Sequence, residues 1–173
     1  MTDDGLVIGR RVRVEQRRVP RSDGREELRE MVVHPGSVVV VPVLDDGRIV
    51  MIRNHRFAVG KTLLELCAGT REGDEDPALC AVRELEEETG YRAQTVTPLL
   101  SFYPTPGVSD ERMFAFVARG LVATQQRLDP SEQIEVQPLA LDEVVARISR
   151  NEIEDAKTIV SVLYFHTWGA SRP

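Results

Sequence analysis

Apolar and polar residues alternate near the start of the chain, most clearly at Val12-Arg13-Val14-Glu15, and this period of two predicts a strand over 6–19. Ser22-Asp23-Gly24 predicts a turn and 27–33 a second strand, so residues 1–35 read as an antiparallel β hairpin. His34-Pro35-Gly36 breaks the pattern. Residues 38–43 are mostly β-branched and apolar, which suits a strand buried on both faces. Pro42 within that run predicts a bulge or an unpaired edge, because proline has no N–H to give to a ladder. Asp45-Asp46-Gly47 is a hairpin turn into a strand over 48–53, and 62–66 forms another short strand.

The period then changes. Residues 77–89 predict a helix, with Asp76 to cap it, Pro77 at its first position and Gly90 at its end. Ala78, Val82 and Leu85 are placed on its core side. Strands follow near 93–102 and 112–118, and another begins at 133 or 134. Helices follow over 141–149 and 157–168, the last with Ile159, Leu163 and His166 on one face. Strands interleaved with helices indicate an α/β or α+β sandwich over 36–173, with the hairpin as a small N-terminal element.

The chain's 173 residues can bury roughly two-thirds of the unfolded surface, so folding requires neither a disulfide nor a structural metal. A net charge of −6 and a pI near 5.2 argue against a general nucleic-acid binder, which carries a basic face. They leave room for a phosphate substrate, since a bound cation inverts the local field. Cys67 and Cys80 form no C-x-x-C pair and read as idle thiols in a reducing compartment. His34, His55 and His166 have no ligand spacing. The N-terminus shows no signal peptide, and the apolar run 38–44 is too short to span a membrane, so the expected location is the cytoplasm.

The candidate chemistry lies in Gly69–Tyr91, GTREGDEDPALCAVRELEEETGY. Residues three and four apart share a helix face, so Glu84, Glu87 and Glu88 fall within one arc of roughly 100°. Three carboxylates side by side repel, and they sit near the helix C-terminus, where the macrodipole disfavours anions. A Glu-rich helix is ordinarily a solvated face. Here Arg83 precedes Glu87 by four and can orient it, and Glu75 can reach Arg83 across the loop. A divalent cation relieves the repulsion, and oxygen ligands suit Mg²⁺ or Mn²⁺.

The stretch resembles the Nudix box: a Gly, five residues, a Glu, seven residues, then Arg-Glu-apolar-x-Glu-Glu-x-Gly-apolar. Gly69, Glu75, Arg83, Glu84, Leu85, Glu87, Glu88 and Gly90 fill their places, and Tyr91 puts an aromatic where an aliphatic is commoner. At typical residue frequencies a chance match is below about 10⁻⁸ per starting position. The resemblance implies an α/β/α sandwich with a mixed sheet and cleavage of a phosphoanhydride. It also implies that Glu84, Glu87 and Glu88 hold Mg²⁺ (Mn²⁺ as a substitute), supported by Arg83 and Glu75.

Residues outside the box resemble ADP-ribose pyrophosphatases. Leu64-Glu65-Leu66-Cys67-Ala68-Gly69 is similar to their Leu-Glu-x-Pro-Ala-Gly, with Cys67 for Pro, and the carbonyl at the Ala68 position joins the metal shell there. Thr105-Pro106-Gly107-Val108-Ser109-Asp110-Glu111 resembles their Ser-Pro-Gly-x-Ser-x-Glu, with Thr105 for Ser. Arg56 stands at the Arg of a Gln-Tyr-Arg, with His55 for Tyr. The resemblance makes Arg56, Glu65, Pro106, Gly107 and Glu111 substrate-side residues and gives Glu87 and Arg83 catalytic parts. It also places a proton-accepting Glu on a loop beyond the box, where Glu132 is the choice. ADP-ribose would yield AMP and ribose 5-phosphate. GDP-mannose, UDP-glucose and dinucleoside polyphosphates are competing substrates, and a non-catalytic ADP-ribose sensor is the rival of another class. The hairpin resembles a small sheet domain commonly exchanged within a homodimer.

Overall fold

The computed structural model of the chain describes residues 5–8 and 13–169. The N-terminal region forms an antiparallel sheet of β1 (Gly5–Ile8), β2 (Arg13–Pro20) and β3 (Glu26–Val33). The single strand expected over 6–19 is therefore two, since β1 folds back on β2 with Ile8 opposite Arg13. The alternation at 9–12 lies outside the described residues. The turn into β3 falls where expected: Gly24 takes φ 79°, a left-handed conformation open to glycine without steric cost. No residue between 13 and 33 is buried. This sheet joins the rest of the chain through the loop before β9: Val32 N–H donates to Val108 O at 2.8 Å and Asp110 N–H to Val32 O at 3.2 Å.

The remainder is organised by β4 (Ser37–Pro42), all of which is buried. It runs parallel to β9 (Met113–Ala123) and antiparallel to the short β7 (Ala68–Thr70), and β8 (Tyr91–Phe102) completes the order β7-β4-β9-β8. A second sheet has the order β10 (Ile134–Leu139), β5 (Ile49–Arg56), β6 (Lys61–Glu65). The pairing of β7 with β4 stops at Val39, so that edge of β4 is already free of β7 where Pro42 occurs. β7 escaped the sequence pattern: Ala68-Gly69-Thr70 is too short and too small to show a period.

Because strand side chains alternate faces, β4 feeds two cores. Val39 and Val41 pack with Met51, Leu66, Val144 and Phe165, beneath α2 (Leu141–Ser149) and α3 (Ala156–Trp168). Val38 and Val40 pack with Cys67, Cys80, Ala81 and Leu85, beneath α1 (Pro77–Thr89). The result is an α+β sandwich of three helices on mixed sheets. No helix among the described residues is long and apolar enough to cross a membrane.

Two faces differ from the sequence expectation. On α1, Leu85 is buried as expected and Ala78 is partly so, but Val82 is 38% exposed; small Cys80 and Ala81 take its place, which lets the helix approach β4 closely. On α3 the buried side is Thr158, Ser161, Val162 and Phe165, whereas Leu163 and His166 face solvent. Burying Thr158 is tolerated because its hydroxyl donates to Asp155 at 2.6 Å and accepts Leu66 N–H at 2.9 Å.

Candidate active site

The start of α1 sets the register of its acidic face. Asp76 accepts Ala78 N–H at 2.8 Å and Leu79 N–H at 3.3 Å, Pro77 occupies the first turn, and Gly90 closes the helix in the left-handed region at φ 69°. From that start Glu84, Glu87 and Glu88 point to one side. With Arg56, Ala68, Arg83 and Glu132 they line a cavity of about 710 Å³.

The three carboxylates differ in their surroundings. Glu88 is 3% exposed and accepts Ala68 N–H at 2.9 Å; burial pushes its pKa up to about 8. Glu84 is also raised by burial, opposed by the neighbouring Arg83. Its carboxyl occupies the space a side chain on Gly69 would need, since a Cβ built there stands 1.8 Å from Glu84 Cδ. Arg83 serves as a local counter-charge. Its Nη1 donates to Glu84 at 2.8 Å and Glu87 at 3.0 Å, while Nε and Nη2 donate to Glu75 at 3.1 and 3.0 Å. The Arg83 hydrogen bonds hold the Glu75 pKa at about 2.

Among the described residues no three His, Cys, Asp or Glu side chains are drawn together around one point; Arg83 spans two of the carboxylates instead. The donor chemistry still fits a hard cation. Glu88 and Glu84 are buried acids with raised pKa, a condition that a divalent ion reverses by favouring the ionised form.

Arg56 reaches the cavity from β5, its guanidinium forked onto Glu65 at 2.8 and 2.7 Å. Glu65 is wholly buried and does not line the cavity; its other partner is Lys157 Nζ at 2.6 Å, which also meets Asp155 at 2.8 Å. The loop carrying Glu132 is fastened to the end of α1. Arg127 N–H donates to Glu87 O at 2.9 Å and Gln126 Nε2 to Glu88 O at 2.7 Å, satisfying carbonyls that a helix end leaves open. The Glu132 carboxylate accepts Asp129 N–H at 2.9 Å.

The structure does not bring the other expected residues into this cavity. Pro106 and Gly107 line a second hollow of about 310 Å³ with Met31 and the exposed Tyr103. Glu111 accepts from Ser37 Oγ at 2.8 Å and lies 3.9 Å from His34 Nδ1. Conversely, Arg71, Glu72 and Arg127 line the main cavity although no motif in the sequence singles them out, and Leu128 and Asp129 join them from the loop that carries Glu132. Arg71 and Glu72 occupy unconstrained positions of the box, and only their loop's packing reveals them.

A sign follows for stability. Glu88 binds its proton more tightly folded (about 8) than unfolded (about 4.5). Its contribution is present below pH 4.5 and is lost as pH rises through 8, because between those values the native state holds more protons. The Glu75 shift is opposite, but acts below 4.5. The metal-free protein is therefore expected to lose several degrees of Tm between pH 5 and 8, and excess Mg²⁺ to flatten that slope, roughly 2–4 °C per kcal/mol at this size. Thermal scans with chelator and with Mg²⁺ check this. A metal-free Tm that rises over the interval counts against the burial argument.

Residues 33–161 match the profile of the NUDIX domain. The chain is 38% identical over 144 residues to the ADP-ribose pyrophosphatase of Bacillus subtilis (strain 168), covering 82% of this chain and 78% of that one. It is 38% identical over 161 residues to the methanol dehydrogenase activator of Bacillus methanolicus, covering 92% and 87%. A solved ADP compounds hydrolase superposes with a TM-score of 0.84 at 22% identity, covering 98% of this chain and 93% of that one, which shows a shared fold. With its box intact and the box's carboxylates gathered on one cavity, the chain belongs to the Nudix family.

Proposed function

We propose that this Nudix hydrolase cuts the pyrophosphate of ADP-ribose, adding water across the P–O–P link to give AMP and ribose 5-phosphate. The observation that carries the hydrolytic reading is the gathering of Glu84, Glu87 and Glu88 on a cavity large enough for a nucleotide. The substrate class is supported by the ADP-ribose pyrophosphatase among the relatives and by the Leu64-to-Gly69 and Thr105-to-Glu111 segments. An undamaged box favours catalysis over a sensing role.

Glu84, Glu87, Glu88 and the Ala68 carbonyl would hold Mg²⁺, with Mn²⁺ as a substitute. Once bound, the cation supplies charge neutralisation on the phosphoryl oxygens and acidifies water. Arg83 keeps Glu84 and Glu87 aimed into the cavity. Arg56, set by Glu65, meets a phosphate or ribose oxygen. Glu132, on the same cavity, takes the proton of the attacking water. Pro106, Gly107 and Glu111 remain substrate-side residues on the resemblance of their segment. We place the enzyme in the cytoplasm, consistent with two free, buried thiols.

ADP-ribose is expected to give the highest kcat/KM among ADP-ribose, GDP-mannose, UDP-glucose and a dinucleoside polyphosphate. An ill-matched base leaves buried polar groups unpaired, so the margin should be clear. Initial rates at equal, sub-saturating concentrations with excess Mg²⁺ test it. A wide win for GDP-mannose overturns the substrate and spares the family.

We also propose a homodimer to which residues 1–35 contribute. A small sheet is marginal without a hydrophobic surface to cover it, and none of residues 13–33 is buried in the single chain. Light scattering at micromolar concentration should report twice the chain mass; a monomer mass defeats the proposal.

A further inference from the structure

We propose that Arg71 is a substrate-binding residue that holds a phosphoryl oxygen of the pyrophosphate, an inference that rests on the cavity's being the site of pyrophosphate cleavage. Four arginines line that cavity: Arg56, Arg71, Arg83 and Arg127. Three have their charge answered by carboxylates. Arg83 meets Glu75, Glu84 and Glu87, Arg56 meets Glu65, and Arg127 meets Glu86. Arg71 has no carboxylate oxygen within 4.0 Å among the described residues.

The side chain is nonetheless held in place. Its Nε donates to Glu75 O at 2.8 Å and its Nη1 to Pro35 O at 3.0 Å. The guanidinium carbon lies 5.9 Å from the centre of the Phe114 ring. Its Cδ stands 3.6 Å from where a Cβ on Gly36 would be, and Gly36 has φ 93°, so the chain behind it is built for glycine. Carbonyls and an aromatic ring orient a cation without cancelling its charge. A guanidinium has five N–H donors, and the two used here leave others for a ligand.

The rest of the lining is acidic and favours such a cation. Glu72, Glu84, Glu87, Glu88, Asp129 and Glu132 face the same space, and an ionised pyrophosphate entering it meets repulsion that falls off only slowly in a low-dielectric cavity. Arg83 bridges Glu84 and Glu87, and the α1 carboxylates would hold the metal. Arg71 is the fixed, unneutralised group whose planar fork matches the oxygens of a phosphoryl group.

The experiment compares Arg71→Gln and Arg71→Lys with wild type, using ADP-ribose with saturating Mg²⁺ and AMP and ribose 5-phosphate separately as inhibitors. Wild-type turnover of the nucleotide sugars tests the reading of the cavity; the ratio of variant to wild type tests Arg71. Arg71→Gln should raise KM about tenfold or more with kcat within about threefold, the pattern of lost uniform binding to a charged partner. The Ki of whichever product places its phosphate there should rise by a similar factor, and added salt should raise KM less steeply than in wild type. Arg71→Lys should recover part of the loss, because it keeps the charge while giving up the fork. Should the Gln variant not fold, a KM raised severalfold in the Lys variant still supports the assignment. KM and both Ki values within twofold of wild type overturn it, as does a Lys variant no better than a folded Gln variant.

Discussion

Replacing Glu87 or Glu88 with glutamine is expected to lower kcat by at least about 10². Each change takes an anionic oxygen away from the place where the metal would bind while keeping the shape of the side chain, and groups aimed at developing charge in a transition state are worth about 10²–10³ in rate. Folding should survive both. Glu88 sits in surroundings that already favour its neutral form, and a glutamine there can still accept Ala68 N–H. Glu87→Gln removes one of three carboxylates around Arg83 and leaves the other two. Circular dichroism and single-turnover rates at fixed, saturating Mg²⁺ separate the two effects. Near-wild-type turnover in both variants removes the catalytic reading of α1. Glu132→Gln belongs in the same series, where a fall in kcat with unchanged metal affinity identifies it as the proton acceptor. A larger loss in Glu135→Gln or Glu111→Gln moves that role elsewhere.

Glu65→Ala is expected to be the most damaging single change to stability away from the apolar cores. The carboxylate is completely buried and holds two cations, Arg56 through a fork and Lys157 at 2.6 Å. Removing it leaves Lys157, whose side chain is only 13% exposed, with Asp155 alone, and leaves Arg56 with no fork partner. Breaking a buried charge pair from one side costs about 3–5 kcal/mol, because the stranded charge keeps its desolvation cost. For a chain of this size that is a Tm loss on the order of 10 °C. Adding Lys157→Met should return part of it, since the two sites share one network and their effects are not additive. A Tm within about 2 °C of wild type for Glu65→Ala shows that solvent reaches the network and that the pairing is energetically idle. KM for ADP-ribose should also rise, as Arg56 loses the support that aims it at the cavity.

Much of the fold was legible along the chain because its signals are local. The helix bounds 77–89 follow from the capping Asp76, from Pro77 and from Gly90, all of which operate within a few residues, whereas the helix over 141–149 has no side-chain cap. Strand β4 declared itself by the β-branched run over 38–41, and both of its faces are indeed buried. Where local signals were weak, the reading erred. Periodicity alone places Val82 in the core, yet the close approach of Cys80 and Ala81 to β4 turns it outward. On α3 the hydrogen bonds available to Thr158 let a polar residue displace Leu163 from the buried side. The strand at 6–19 was two strands because sequence alternation does not mark a reversal of direction.

By itself the sequence determined the family, the helix that carries the chemistry and the common face of Glu84, Glu87 and Glu88, since helical geometry converts spacing into direction without help from the rest of the chain. It also paired Arg83 with Glu75 and Glu87. Only the tertiary structure decided which charges would be buried and which left unanswered. Glu65 became a buried anchor because a lysine 92 residues away folds over it, and Glu88 became an acid of raised pKa because tertiary packing buries it, an effect that the Ala68 N–H bond, from 20 residues before it, opposes. Gly69 is required where Glu84 fills the space of its missing side chain. Arg71 stood out only after the cavity was assembled and the other arginines had found their carboxylates. Desolvation and charge pairing depend on every element packed against a group, and no one-dimensional spacing encodes that.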